Sequence, residues 1–208
     1  MTGMHSGESA AGALPAPDGD VTIREATLGD LPGMARVHVD GWKTAYRGIV
    51  PDRILDPLTV EIDLASGFGR GLTEPRIGAV QYVAVTSSEE VLGYAFGGPN
   101  REPRPGLDGE LEALYVMSSH RGRGFGTRLV GAVARFLLST DRVGMVVWVL
   151  AENPYRRFYE RLGGAPLGTR QGAPHRLGGG PLEEVGYGWA DLRQLAGEPP
   201  NTPASRSV

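Results

Sequence analysis

The sequence predicts a single α/β domain in which a mixed, mostly antiparallel sheet of about six or seven strands is flanked by helices. Three observations carry this. Short apolar or alternating segments at residues 21–26, 79–86, 91–97, 110–116, 144–150, 165–172 and 182–189 read as strands. Ser87-Ser88-Glu89-Glu90 joins two of them at hairpin spacing, and a glycine-rich loop joins the last two. The segments at 110–116 and 144–150 differ, because they enclose a helical pattern, and a strand, helix, strand unit implies a parallel crossover.

Taken in order, the first strand leads to Asp30, a suitable N-cap for a helix carrying Leu31, Met34, Ala35, His38, Trp42 and Ala45 along one side. Gly48 and Pro51 end it, and a less regular helix is expected over residues 58–68. Residues 98–109, GPNREPRPGLDG, have the composition of a loop. The central helix carries Leu129, Val130, Val133, Phe136 and Leu137 at helical spacing. GMVVWVL, from Gly144 to Leu150, is apolar throughout, as a strand buried on both faces should be. Asn153 and Pro154 then suit the cap and first turn of a short helix that stops at Gly163-Gly164.

The chain has 208 residues, enough for one domain with a substantial core. That domain is placed at 21–195, between a leader (1–20) and a tail (196–208) whose compositions predict disorder. A net charge of -3 shows no basic excess and argues against nucleic acid as a partner. The absence of cysteine excludes disulfides, thiolate metal sites and a cysteine nucleophile, and favours a cytoplasmic home. No run of 18 apolar residues suggests a membrane span. Four scattered histidines give no metal site, and His175 reads as a surface side chain in the loop before the last strand.

The chemistry concentrates between residues 111 and 137, where a strand feeds through a glycine- and arginine-rich turn into a helix. Such a turn aims backbone N–H groups and the positive end of a helix dipole at one spot, which suits a phosphate. Arg121-Gly122-Arg123-Gly124-Phe125-Gly126-Thr127 contains no lysine, so it is not GxxxxGK[ST], and its glycines do not match GxGxxG. It does match R-x-x-G-x-G through Arg121, Gly124 and Gly126, and so resembles the acyl-coenzyme A loop of the GNAT-type N-acetyltransferases. Glu110 to Val116 is similar to the strand preceding that loop in the family. Asn153 to Gly163, ending in Phe-Tyr-Glu-x-x-Gly, resembles its later Asn-and-helix motif, and Trp42 to Pro51 the first-helix segment of one branch.

The resemblance implies acetyl-CoA as co-substrate, transfer of its acetyl group to a primary amine, and a gap between two splayed strands that takes the pantetheine arm. Leu114, Tyr115 and Val116 would face that gap opposite Trp148, Val149 and Leu150. Backbone from Arg121 to Thr127, with Gly122 and Phe125 between, would hold the pyrophosphate, and Asn153 and Arg156 would add contacts. Asn153 is a helix cap, a pantetheine contact or both. Tyr159 stands where the family places the proton donor for the leaving thiolate. Glu110 and Glu112 alternate onto one strand face, so both could look into the acceptor side of the gap. The resemblance, which places a glutamate where Glu110 stands, makes Glu110 the first choice of base, acting through water, and Glu112 a group that would help bind a cation. Trp42 and Tyr46 would roof the acceptor pocket.

With no cysteine for an acyl-enzyme, direct attack in a ternary complex is the simplest mechanism. The expected acceptor is a small cationic amine. The alternatives are a non-catalytic acyl-CoA sensor and an enzyme acting on protein N-termini or lysines. A homodimer through the last hairpin is the expectation from family analogy alone.

Overall fold

The computed structural model describes residues 21–172 and 181–198. The expected leader, the loop holding His175, and residues 199–208 of the expected tail lie outside this span. The described residues form one seven-stranded sheet in the order β1-β2-β3-β4-β5-β7-β6. Its strands are β1 (Thr22–Glu25), β2 (Val80–Val85), β3 (Val91–Arg104), β4 (Leu107–Val116), β5 (Met145–Leu150), β6 (Ala165–Gln171) and β7 (Glu183–Trp189). Only β4 and β5 pair in parallel, across the helical crossover; every other pairing is antiparallel.

Residues 98–109, expected as a loop, are instead the far half of the β3–β4 hairpin, which turns at Pro105 and Gly106. The reason lies in register. The β2–β3 ladder ends at Val80 opposite Gly97, so Pro99 lies beyond the stretch where β2 would need its missing N–H, and pairs toward Gly109 on the β4 side. Proline is tolerated where one edge of a strand has no neighbour.

Alternation sends the two faces of the sheet to separate cores. On one face lies α5 (Phe125–Ser139), whose Leu129, Val133 and Leu137 are fully buried with Leu92, Leu111, Met145 and Val147. α7 (Arg193–Ala196) adds Ala196 to this core, beside Leu192, so the packed chain continues just past the boundary drawn at 195. On the other face lies α1 (Leu31–Ala45), with Met34 and Val37 against Val83, Val91 and Tyr94. The helix expected over 58–68 is present but shorter, as the middle one of three, with a one-turn helix on either side of it. α2 (Asp52–Leu55), α3 (Val60–Ala65) and α4 (Arg70–Thr73) are separated by Pro57 and by Gly67 and Gly69, both of which adopt positive φ. Thr59 caps α3 by accepting from the Ile62 N–H at 3.3 Å.

Asp30 sits before α1 as expected, but its side chain does not cap that helix. Its carboxylate accepts from the Thr27 N–H at 2.7 Å and Thr27 Oγ1 at 2.8 Å, and takes two bonds from Arg24 at 2.8 and 2.9 Å. The Arg24 bonds, helped by Thr27 and opposed by burial, hold the Asp30 carboxyl down at about 2. A depressed carboxyl stabilises the fold above the ordinary carboxylate range and stops doing so as pH falls through its folded value. Asp30→Asn should therefore be less stable at neutral pH by on the order of 1–2 kcal/mol, with the gap closing between about pH 4 and 2, as denaturant titrations over that range would show.

Candidate active site

The parallel pairing of β4 and β5 is short. Gly109, Glu110 and Leu111 pair with Met145, Val146 and Val147, and the ladder then stops while both strands continue. β5 stays bound on its other side, with Trp148, Val149 and Leu150 opposite Gly186, Val185 and Glu184 of β7. The expected gap thus opens between Leu114, Tyr115 and Val116 on one wall and Trp148, Val149 and Leu150 on the other. Backbone groups that would otherwise complete the ladder there are available to a bound chain rich in amides.

A bulge sets this up. Phe96 pairs with Ala113, but Gly97 pairs with Leu111, so Glu112 is an extra residue in β4. Leu111 belongs to the α5 core, whereas Ala113 and Tyr115 pack toward α1. Strict alternation would put Leu111 and Ala113 on one face.

A cavity of about 1150 Å³ runs from this gap across the α1 face. At one end is the glycine turn. Gly122 and Gly124 have φ of +79° and +84°, a left-handed backbone that favours glycine, and α5 begins at Phe125. The Arg128 N–H is the first to bond back to the turn, reaching the Gly124 carbonyl at 3.1 Å. Phe125, Gly126 and Thr127 therefore form the first turn, whose N–H groups have no earlier helical carbonyl to meet. A Cβ on Gly126 would lie 3.3 Å from the Phe158 ring, so glycine lets α5 and the following helix approach across the gap.

Of the residues expected to hold the co-substrate, Leu114, Tyr115, Val116, Arg121, Gly122, Gly124, Phe125, Gly126, Thr127 and Asn153 line this cavity. Arg123 and Arg156 do not; Arg157 and Arg161 line it instead. Arg121 spans the mouth, donating to Tyr155 Oη at 2.5 Å and to Thr44 Oγ1 of α1 at 2.7 Å. The helix expected to start at Asn153 is α6 (Arg157–Arg161). Asn153 lies ahead of it, and its Oδ1 accepts from the Tyr155 N–H at 2.8 Å, so it shapes the approach to α6 rather than capping it.

Trp42, Tyr46, Glu112 and Tyr159 also line the cavity. The Trp42 indole N–H donates to Tyr115 Oη at 3.0 Å, and the Tyr46 ring packs edge-to-face with Trp42 at 5.0 Å. Burial raises Tyr46 well above its ordinary value. Tyr159 is buried between Phe158, Tyr187 and Trp189, and burial first, then Tyr115, pushes its phenol up as well.

The two glutamates part company. Glu110 is 2% exposed and does not line the cavity. It accepts from Arg101 N at 3.1 Å, from Arg101 Nε at 3.0 Å and also from Arg101 Nη2. Burial works to raise its carboxyl, but these bonds outweigh it and the group lies below its ordinary value. Glu112 lines the cavity, paired with Arg76 and with Arg101 Nε at 3.7 Å, and burial raises its carboxyl. Arg101 and Arg76 carried no recognisable signal in the sequence. His38, on the side of α1 that the sequence predicts, pairs through Nδ1 with Asp63 at 2.8 Å, a partner that carries no sequence signal. Among the described residues no cluster of three metal-ligating side chains is present, and no helix is long and apolar enough to cross a membrane.

A splayed parallel pair, a glycine turn at a helix N-terminus and a buried tyrosine beside the gap thus meet on one cavity. Residues 103–171 match the FR47-like protein family model. The chain is 35% identical over 175 residues to the uncharacterized N-acetyltransferase YuaI of Bacillus subtilis, covering 84% of this chain and 96% of that one. It is 35% identical over 115 residues to an L-methionine sulfoximine/L-methionine sulfone acetyltransferase of Pseudomonas aeruginosa, covering 54% of this chain and 60% of the relative. Its fold is similar to a GCN5-related N-acetyltransferase of Rhodopseudomonas palustris, with TM-score 0.61 and 15% identity over 80% of this chain and 93% of the other. The PaiA N-acetyltransferase of Thermoplasma acidophilum, solved with coenzyme A, aligns with TM-score 0.54 and 15% identity over 80% of this chain and 98% of that one. The chain belongs to the GNAT-type N-acetyltransferase family. It is an acetyl-CoA-dependent acyltransferase.

Proposed function

We propose that the chain acetylates the primary amine of a small molecule by direct attack on acetyl-CoA in a ternary complex. The observation that carries this reading is the second half of the cavity, walled on the α1 face by Phe68, Gly69, Arg70, Phe96, Arg101 and Glu112. A concave wall of aromatic rings and a few charged groups suits a small molecule. Both signs of charge are present on that wall. Because Glu110 and Glu112 come with their own arginines, the purely cationic acceptor suggested by the carboxylates alone gives way to one carrying an anionic group beside its amine. The Pseudomonas relative, named for acting on amino-acid analogues, supports that choice.

In this reading the pantetheine arm lies along Leu114, Tyr115 and Val116, whose backbone also polarises the thioester carbonyl, and the pyrophosphate sits on Gly122 to Thr127. Glu112 holds the acceptor's ammonium, while Glu110, walled off from the cavity, positions Arg101. Thiol release from acetyl-CoA across amino acids, polyamines and peptides tests the assignment. Release with amino acids supports it, release only with peptides favours a protein acceptor, and tight acetyl-CoA binding without release favours a sensor. Glu112→Gln should raise KM for the acceptor about 10-fold or more, the size of one lost charged hydrogen bond, and leave acetyl-CoA binding unchanged in calorimetry.

A further inference from the structure

Transfer to an amine needs a group to remove the proton of the acceptor's ammonium, and neither glutamate is well placed to do so. Glu110 is turned away from the cavity under Arg101, and Glu112 lies between Arg76 and Arg101. The cavity wall offers another candidate in His38, which is 4% exposed and faces the same space from α1. Its ring is held on three sides: stacked on Phe68 at 4.9 Å, edge-on to Tyr115 at 5.1 Å and tilted to Trp42 at 5.6 Å.

The fourth constraint is Asp63 of α3, itself fully buried, 2.8 Å from His38 Nδ1. A carboxylate only accepts, so Nδ1 carries the hydrogen and Nε2 the lone pair. A buried carboxylate that fixes the tautomer of an imidazole and stabilises its protonated form is the arrangement that makes histidine an effective base. Tyr115, whose ring edge meets His38, belongs to the strand wall along which the thioester would lie, so the imidazole stands one aromatic ring from the reacting carbon's track.

Resting on the transfer to a small amine proposed for this cavity, we propose that His38, oriented by Asp63, is the general base of the reaction. Nε2 takes one proton from the bound ammonium, and the freed amine forms the new C–N bond as the C–S bond breaks. The nitrogen's second proton leaves as the amide forms. The thiolate ends protonated, and one net proton passes to solvent. Among the described residues, titratable groups facing His38 include Asp63 from α3 and the Tyr115 phenol from β4, with Tyr94 of β3 stacked behind Tyr115.

The test is the pH dependence of kcat/KM with an accepted amine, measured on the full chain. Wild type should lose activity on the acid side with a midpoint that coincides with the His38 titration followed by NMR in the acetyl-CoA complex. His38→Gln should lower kcat/KM about 10² to 10⁴-fold and abolish that limb, with acetyl-CoA affinity retained. Asp63→Asn, which reverses the tautomer, should lower the rate at least about tenfold and displace the limb, a change that loss of a purely structural tie would not produce. Glu112→Gln should keep the limb. A folded His38→Gln enzyme with wild-type rate and limb, or a wild-type limb that does not follow the His38 titration, overturns the assignment alone. No thiol release from wild type with any amine overturns the transfer reading and this assignment with it.

Discussion

Tyr159→Phe should lower kcat about 10² to 10³-fold while leaving the dissociation constant for acetyl-CoA almost unchanged. Tyr159 lines the cavity with Phe158, Tyr187 and Trp189 around its ring, and removing one oxygen leaves that packing in place. What the proposed reaction would lose is a hydrogen bond that matters only once charge develops on the leaving sulfur, so the effect belongs in kcat. The direction of the phenol's shift sharpens the expectation. Burial first, and the neighbouring Tyr115 second, raise it, so Tyr159 stays protonated across the whole working range. A free thiol ionises at about 8.5, so complete transfer from a raised phenol to the thiolate is uphill, and in the proposed reaction Tyr159 would act chiefly by donating a hydrogen bond to sulfur as the C–S bond lengthens. Wild type should accordingly show no loss of kcat from Tyr159 ionisation below about pH 10. A basic limb at lower pH that disappears in Tyr159→Phe would contradict this account.

How much of this arrangement could be read from residues alone follows from how local each feature is. The glycine turn, the apolar β5 and the amphipathic α5 are set by neighbours within a few positions, and all appear where the sequence places them. The far half of β3 was hidden because proline, glycine and arginine lower strand propensity, and only the ladder to β4 beyond the end of β2 makes those residues extended. The roles of Glu110 and Glu112 were hidden for a related reason. Alternation puts them on one face, and both meet Arg101 there, but Arg101, brought in by that extended β3, seals Glu110 under its guanidinium while Glu112 stays on the cavity wall. His38 and Asp63 are 25 residues apart on different helices, and nothing local connects them. Features that depend on long-range register escaped the periodicity argument, and those are the ones that sort the acceptor side of the cleft.

The co-substrate side rests on the glycine turn, and there the decisive comparison is between two glycines of equal backbone strain. Gly124 has φ of +84° and Gly163 has φ of +81°, and a Cβ built on either meets no atom within 4 Å. Replacing either by alanine forces an L-residue into the left-handed region, which costs about 1–2 kcal/mol and should lower both melting temperatures by similar amounts. Their surroundings differ. Gly163 ends α6 away from the cavity, whereas Gly124 lines it immediately before α5, where the pyrophosphate is proposed to sit against the first-turn N–H groups. Open space beside the Gly124 Cβ position is then the space a phosphate oxygen would fill. Gly124→Val should weaken acetyl-CoA binding about 100-fold or more, with Gly124→Ala intermediate, because a side chain there both blocks the approach and turns the donors away. Gly163→Ala should bind acetyl-CoA as wild type does despite its equal loss of stability. Calorimetric titration of the three variants checks this: equal binding by the Gly124 and Gly163 variants would move the phosphate off the turn, whereas loss confined to Gly124 ties the coenzyme to the start of α5 independently of catalysis.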